Sequence, residues 1–65
     1  MYNYVSKENN MEPRDYKVTR IAGEYATLTD INTGEELPIA LFLLPDGTDE
    51  GTLLHYEDLS YEIVE

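Results

Sequence analysis

The sequence predicts an all-β domain built from about five short strands. Three observations favour this fold: short runs of β-branched and aromatic residues, alternation of apolar and polar residues within them, and glycine, proline or asparagine at the breaks. The 65 residues suffice for one domain with a small core. We therefore expect a single sheet or barrel whose strands are joined by tight turns.

Two strands are predicted before the middle of the chain. β-Branched and aromatic residues dominate residues 16–21, and a turn with a glycine at 22–24 separates them from a second strand at 25–29. Within the second strand, Ala26 and Leu28 share one face and alternate with Tyr25, Thr27 and Thr29. This period of two indicates a strand with one buried face.

A hairpin turn is predicted at residues 30–34, followed by a third strand at residues 35–39. Asp and Asn side chains in such turns bond nearby backbone groups, and Gly34 can adopt a positive φ. Pro38 has no N–H group to give to a neighbouring strand. The third strand is therefore expected at a sheet edge or at a bulge.

The wholly apolar residues 40–44 predict one buried helical turn that plugs the end of the sheet. Pro45 ends this turn, because the residue before a proline avoids the helical region. Pro45 also begins an acidic loop in which Gly47 and Gly51 are expected to have positive φ.

The last two strands are predicted at residues 51–56 and 59–64, with a turn that begins at Glu57 and Asp58. Leu54, rather than Leu53, is expected to point inward. Five short strands with brief turns favour a small SH3-like or OB-like barrel that carries one short helical turn. The expected core is Val18, Ile21, Ala26, Leu28, Ile39, Leu41, Leu44, Leu54, Tyr56, Tyr61 and Ile63.

Charge is the strongest indication of what the protein can bind. The chain has 14 acidic and 4 basic residues, a net charge of −10, and no Lys or Arg after Arg20. Such a chain repels phosphate backbones and anionic membranes, so nucleic acid and membrane partners are disfavoured. The simplest explanation of the acidic surface is that it keeps the protein soluble, and the alternative is that it meets a basic protein partner.

The chain also lacks features of other compartments. It has no cysteine, which excludes disulfides and thiolate metal sites and fits a reducing cytoplasm. Its longest apolar run, residues 39–44, is far shorter than the roughly 20 residues of a membrane helix. The N-terminus shows no signal peptide, and residues 1–14 are expected to be a flexible tail or an edge segment before a domain at 15–65. Tyr2, Tyr4 and Val5 alternate, so the alternative interpretation of this end is a short edge strand.

No pattern predicts an enzyme, a cofactor or a metal site. His55 is the only histidine, and no nucleophile motif accompanies it, so we expect a strand histidine without a catalytic role. Asp30, Asn32 and Gly34 resemble a calcium loop only faintly, and the hairpin explains the same residues. Asp46, Asp49 and Glu50 could gather a hard cation, but a solvated acidic loop is the favoured explanation of these residues.

One longer pattern resembles a known family. Residues 20–28, the turn at Gly34, Leu37-Pro38 and the Leu-Pro-x-Gly-x-x-x-Gly element at residues 44–51 are similar to a family of short bacterial domains of unknown function, number three thousand and six in the usual catalogue. The resemblance covers residues 16–63. It implies a small domain that occurs alone or appended to hydrolases of the metallo-β-lactamase type, with no established activity. Thr52 replaces the Asp that is usual in the family.

These observations predict a non-enzymatic protein-interaction module that is a monomer or a weak homodimer. A nucleic-acid mimic that blocks a basic groove is the second hypothesis. A single-strand nucleic-acid-binding barrel that uses Lys7, Arg14, Lys17 and Arg20 is the third. The six tyrosines suit a small core, a protein interface or base stacking. The candidate partner contacts are Asp46, Asp49, Glu50, Tyr25, Glu57 and Asp58.

Overall fold

The fold is one open antiparallel sheet, and the computed structural model describes residues 13–64. The strands lie in the order β3-β2-β1-β4-β5, and each neighbouring pair is antiparallel. The all-β prediction with five strands is confirmed. The elements are β1 (Arg14–Ala22), β2 (Tyr25–Asp30), β3 (Glu36–Ala40), a 3-10 turn (Leu41–Leu43), β4 (Leu53–Glu57) and β5 (Ser60–Val64).

Strand pairing does not close the sheet, so the predicted SH3-like or OB-like barrel is not confirmed. Within residues 13–64, β3 pairs only with β2 and β5 pairs only with β4, which leaves these two strands as edges. Side chains of both edge strands nevertheless line one groove together with the segment that follows β3. Pro38 lies in β3, as its missing N–H group predicted for an edge strand.

Strand boundaries differ from the prediction mainly in β1 and β5. β1 is longer than residues 16–21, and its first residue, Arg14, pairs with Tyr56 although the sequence placed Arg14 in the tail. Leu59 lies in the turn before β5 and not in the strand. The rest of the predicted tail, with the alternation of Tyr2, Tyr4 and Val5, falls on residues 1–12, outside the described part of the chain.

The core forms on one face of β1, β2 and β4. As predicted, Leu54 is buried and Leu53 is exposed. Tyr16 is buried as well, although it was not among the predicted core residues. The ring centroids of Tyr16 and Tyr61 are 6.2 Å apart, and those of Tyr56 and Tyr61 are 4.9 Å apart. Burial raises the pKa of both Tyr16 and Tyr61. Around the buried core pack the half-buried residues Ile21, Ile39, Leu41, Tyr56, Tyr61 and Ile63.

The acidic loop continues the pairing with β1 on the N-terminal side of β4. The Gly51 N–H donates to the Val18 carbonyl at 2.8 Å, and the Val18 N–H donates to the Thr52 carbonyl at 2.9 Å. Past an irregularity in the register between Val18 and Arg20, the Ile21 N–H donates to Oε2 of Glu50 at 2.9 Å. Gly47 and Gly51 have φ values of 90° and 91°, as predicted. This loop is therefore held by specific bonds to β1.

The predicted short helical turn near residues 40–44 is confirmed at Leu41–Leu43, but the expectation that it is buried is wrong. The turn is a 3-10 turn in which Phe42 is 84% exposed and Leu43 is 58% exposed. A single turn with three residues per repeat directs its side chains to different sides, so it cannot bury all of them. Leu44, which is already extended with φ −99° and ψ 159°, enters the core instead.

Among the described residues, no helix has the length and apolar character needed to cross a membrane.

Candidate functional site: the groove between the sheet edges

The turn between β4 and β5 contains an unusual residue. Asp58 and Leu59 form a two-residue loop between the paired residues Glu57 and Ser60, and their φ values are 54° and 66°. Two positive φ values define a type I′ turn, for which Asn-Gly or Asp-Gly is preferred. A left-handed conformation costs a residue such as leucine about 1–2 kcal/mol. Leu59 is also 70% exposed, so neither turn geometry nor burial explains a leucine at this position.

Leu59 forms part of a groove of about 470 Å³. The exposed Leu43 lines the same groove although it lies before the acidic loop in the chain, and the buried Leu44 contributes beside it. The groove thus brings together the two edge strands and two exposed leucines. We call it the edge groove, and its lining residues are Ile39, Leu43, Leu44, Pro45, Leu59, Ser60 and Tyr61.

Phe42 lies beside a different depression. Gly23, Glu24 and Leu41 line it with Phe42, and its volume is about 320 Å³. The Leu41 N–H donates to the Glu24 carbonyl at 2.8 Å, which fixes the start of the 3-10 turn against the turn between β1 and β2. The 3-10 turn therefore offers Leu43 to the edge groove and Phe42 to this second depression.

The β5 edge presents backbone groups beside the edge groove. Glu57 and Ser60 flank a type I′ turn and so form a hydrogen-bonded pair, after which bonded and non-bonded pairs alternate along the antiparallel register. The backbone groups of Tyr61 and Ile63 therefore point away from β4. Within residues 13–64, no other strand pairs with this edge.

The β3 edge is chemically different. The Asp30 N–H donates to the Glu35 carbonyl at 2.8 Å, and counting from this bond places Pro38 opposite Thr27 in a non-bonded pair. The nitrogen of Pro38 therefore points to the open side of β3, where it has no hydrogen to donate. Of the two edges formed by residues 13–64, only that of β5 has N–H groups on all its outward residues.

Carboxylates adjoin the edge groove in sequence. Asp46 follows the groove residue Pro45, Asp58 precedes Leu59, and Glu62 follows Tyr61; all three are exposed. No Lys or Arg follows Arg20 in the chain. The residues that line the groove therefore have acidic neighbours in the sequence, and carboxylates attract cationic groups.

His55 contacts two carboxylates on the exposed face of the sheet. Its Nδ1 lies 2.7 Å from Oδ1 of Asp15 on β1, and its Nε2 lies 3.0 Å from Oε1 of Glu57 on β4. The hydrogen bond to Asp15, followed by that to Glu57, raises the pKa of His55 above its ordinary value. The sequence analysis missed these contacts, although Glu57, two residues along the same strand, could be placed on the face of His55.

Asp30 has a structural task in the hairpin turn. Its buried side chain accepts hydrogen bonds at Oδ1 from the N–H groups of Asn32 and Thr33, at 2.8 and 3.1 Å, and at Oδ2 from Arg14 at 3.2 Å. The bond from Asn32 is the main cause that lowers the pKa of Asp30. Both oxygens are therefore engaged as the hairpin interpretation expects. Residues 13–64 contain no group of three or more His, Asp or Glu side chains arranged to hold a metal ion.

The predicted partner contacts lie on several different elements. Asp46, Asp49 and Glu50 lie in the loop before β4, whereas Glu57 and Asp58 lie at the far end of that strand. Asp49 and Glu50 have backbone tasks, because Oδ1 of Asp49 accepts the Glu50 N–H at 2.8 Å and Glu50 bonds Ile21.

Tyr25 is exposed at the start of β2, where it pairs with Ala22 and Ala40. Of the six candidates, Asp46 and Asp58 are the direct sequence neighbours of edge-groove residues. That any of the six contacts a partner stays a prediction. The sequence analysis did not predict that Leu43 and Leu59 are exposed. For Leu43 a signal was present, because the apolar run at residues 39–44 is longer than one short turn can bury.

No protein-family model matches the chain, no curated protein is significantly similar to it, and no solved structure matches it. The resemblance to the family of short bacterial domains therefore stays a prediction.

Proposed function

We propose that this protein is a non-enzymatic protein-interaction module that binds an apolar, cationic segment of a partner protein in the edge groove. The observation that carries this proposal is Leu59, an exposed leucine in a left-handed turn position. Natural sequences depart from local preferences mainly where function requires it. Leu59 adds apolar surface to the edge groove, and this is the role that we assign to it.

Charge supports a cationic partner. Asp46, Asp58 and Glu62 adjoin the groove residues, and the net charge of the chain is −10. Attraction between opposite charges accelerates the encounter of two proteins and weakens as salt screens it. Lys or Arg side chains that flank an apolar anchor therefore suit this surface.

The other two functional hypotheses receive less support. A basic face for nucleic acid is weakened because Arg14 is paired with Asp30. A nucleic-acid mimic needs free carboxylates along one face, and Asp15 and Glu57 are instead engaged with His55. The proposal also includes the fold type: we propose that the sheet curves around its core in the manner of an SH3-like or OB-like barrel.

The test begins with selection of binding peptides from a random-sequence display library. We expect the selected peptides to share apolar residues and Lys or Arg, and their association rates to fall as salt is raised. Leu59→Gly should weaken their binding by about tenfold or more, as for a central apolar contact. Ile31→Gly is the matched control, since Ile31 is also an exposed apolar turn residue, 57% exposed, but does not line the edge groove.

Two results contradict the proposal. One is a selection that yields no binding peptide. The other is a set of peptides whose affinity is equal for the unmodified protein, Leu59→Gly and Ile31→Gly.

A further inference from the structure

We infer that the bound segment joins the sheet as an additional strand along β5, with a Lys or Arg opposite Glu62. This inference rests on the proposed function and specifies how the partner is bound. Tyr61 and Ile63 each direct an N–H and a C=O away from β4, and within residues 13–64 no strand pairs with them. A strand about 4.8 Å away can bond these groups, which is the usual way for a sheet edge to bind an extended peptide.

The choice of edge follows from Pro38. An added strand on β3 meets a position without a donor, whereas β5 has no proline. The edge groove also lies at the start of β5, where Leu59, Ser60 and Tyr61 line it. Backbone pairing and an apolar pocket are therefore available to the same segment.

The side chains of β5 define the pattern of the partner. Glu62 is exposed and its neighbours Tyr61 and Ile63 are half-buried toward the core, so the strand alternates between its two faces. Directly opposite residues of antiparallel strands share a face, and opposite charges there are favourable. The segment should therefore read apolar, basic, apolar, with its basic residue opposite Glu62.

Charge also excludes a second copy of the chain as the preferred occupant. Two β5 strands paired antiparallel about their central residue place Glu62 opposite Glu62, and like charges in that position are destabilising. Two chains that each carry a net charge of −10 also repel one another. A cationic partner has neither disadvantage.

The first experiment measures amide hydrogen exchange of the 65-residue chain with and without the strongest selected peptide. Binding should slow exchange at the Tyr61 and Ile63 amides. The Glu36 and Ala40 amides of β3 serve as the control and should not change. A peptide that binds in a Leu59-dependent manner without protecting Tyr61 and Ile63 overturns strand addition and leaves the proposed function intact.

The second experiment tests the pairing from both sides. N-methylation of the peptide backbone at alternate residues, whose N–H groups face β5, should abolish binding. N-methylation of the residues between them should be tolerated. Glu62→Lys should weaken binding by about tenfold, and a peptide with Glu in place of its basic residue should restore it. Glu36→Lys, which reverses an exposed carboxylate on β3, is the matched control. Equal tolerance of N-methylation at all positions, or no restoration by the charge exchange, contradicts the inference.

Two other occupants of the edge give distinct results. Protection of Tyr61 and Ile63 in the free protein that is independent of concentration indicates that residues 1–12 of the same chain occupy the edge. Protection that increases with protein concentration indicates pairing between two copies. Either result overturns the inference of a separate cationic partner.

Discussion

His55 and Asp15 join β4 to β1 on the exposed face of the sheet, with Nδ1 and Oδ1 2.7 Å apart. The two residues are also direct partners in the strand register. Because Glu57 contacts the other ring nitrogen, protonated His55 can donate one hydrogen bond to each carboxylate. The stability of this end of the sheet is thus linked to the protonation of a single residue.

This link predicts a stability that falls as pH rises through the folded-state pKa of His55. The folded-state pKa of His55 lies above its ordinary value of 6.5, so the native state binds the proton more tightly than the unfolded chain. The stabilisation is complete below about pH 6.5 and is lost as pH rises through the folded-state pKa. Urea unfolding at a series of pH values should show this decrease, and NMR titration of the only histidine gives its pKa.

Two variants identify the source of the effect. Asp15→Asn should lower the pKa of His55, and His55→Gln should remove most of the pH dependence in this range. A decrease of equal size in His55→Gln contradicts the assignment.

Asp30 predicts a second dependence at acidic pH, of opposite sign. Its folded-state pKa is lowered, chiefly by the Asn32 N–H, so its contribution is present above the ordinary value of 3.8 and is lost as pH falls through the folded-state pKa. Asp30→Ala should destabilise the protein more than Asp30→Asn, because an Asn oxygen still accepts from Asn32 and Thr33. Thermal unfolding of the two variants at neutral pH tests the order, and equal melting temperatures contradict it.

The core predicts a strong contrast between two paired leucines. Leu28 is fully buried and lies opposite Leu37 on β3, which is exposed at the edge. Leu28→Ala should reduce the free energy of unfolding by about 2–5 kcal/mol, since it leaves a cavity. Leu37→Ala should cost about 1 kcal/mol or less. Urea unfolding measures both, and similar losses for the two variants would argue against the assignment of the core.

Leu59→Gly should stabilise the fold while it weakens peptide binding. Glycine adopts the positive φ of the turn without strain, and we expect a gain of about 1 kcal/mol. Asp58 then precedes a glycine, the preferred sequence for this turn. A higher urea midpoint together with lower peptide affinity separates function from stability at one residue. A loss of stability in Leu59→Gly contradicts the strained turn.

The number of strands and the positions of the turns could be predicted from the sequence, because local chemistry determines both. Pro38 predicted an edge strand, and Gly34, Gly47 and Gly51 predicted positive φ. In each case the information lies within a few residues of the feature that it determines.

The features that were missed depend on distant residues. Burial of Tyr16 follows from its packing against Tyr61, and burial of Asp30 from its bonds to the turn and to Arg14. The edge groove joins residues on both sides of the acidic loop, and no local pattern predicts that they meet.

Pro38 has a consequence for how many molecules can assemble. A sheet with two competent edges can grow without limit, as in fibrils, because every added strand exposes a new edge. Here one edge lacks a donor at its centre, so additions are directed to β5 alone. Under the proposed mode of binding, a short segment added there would give a complex with one partner per chain. The same proline would then end the sheet on one side and limit the complex to that stoichiometry.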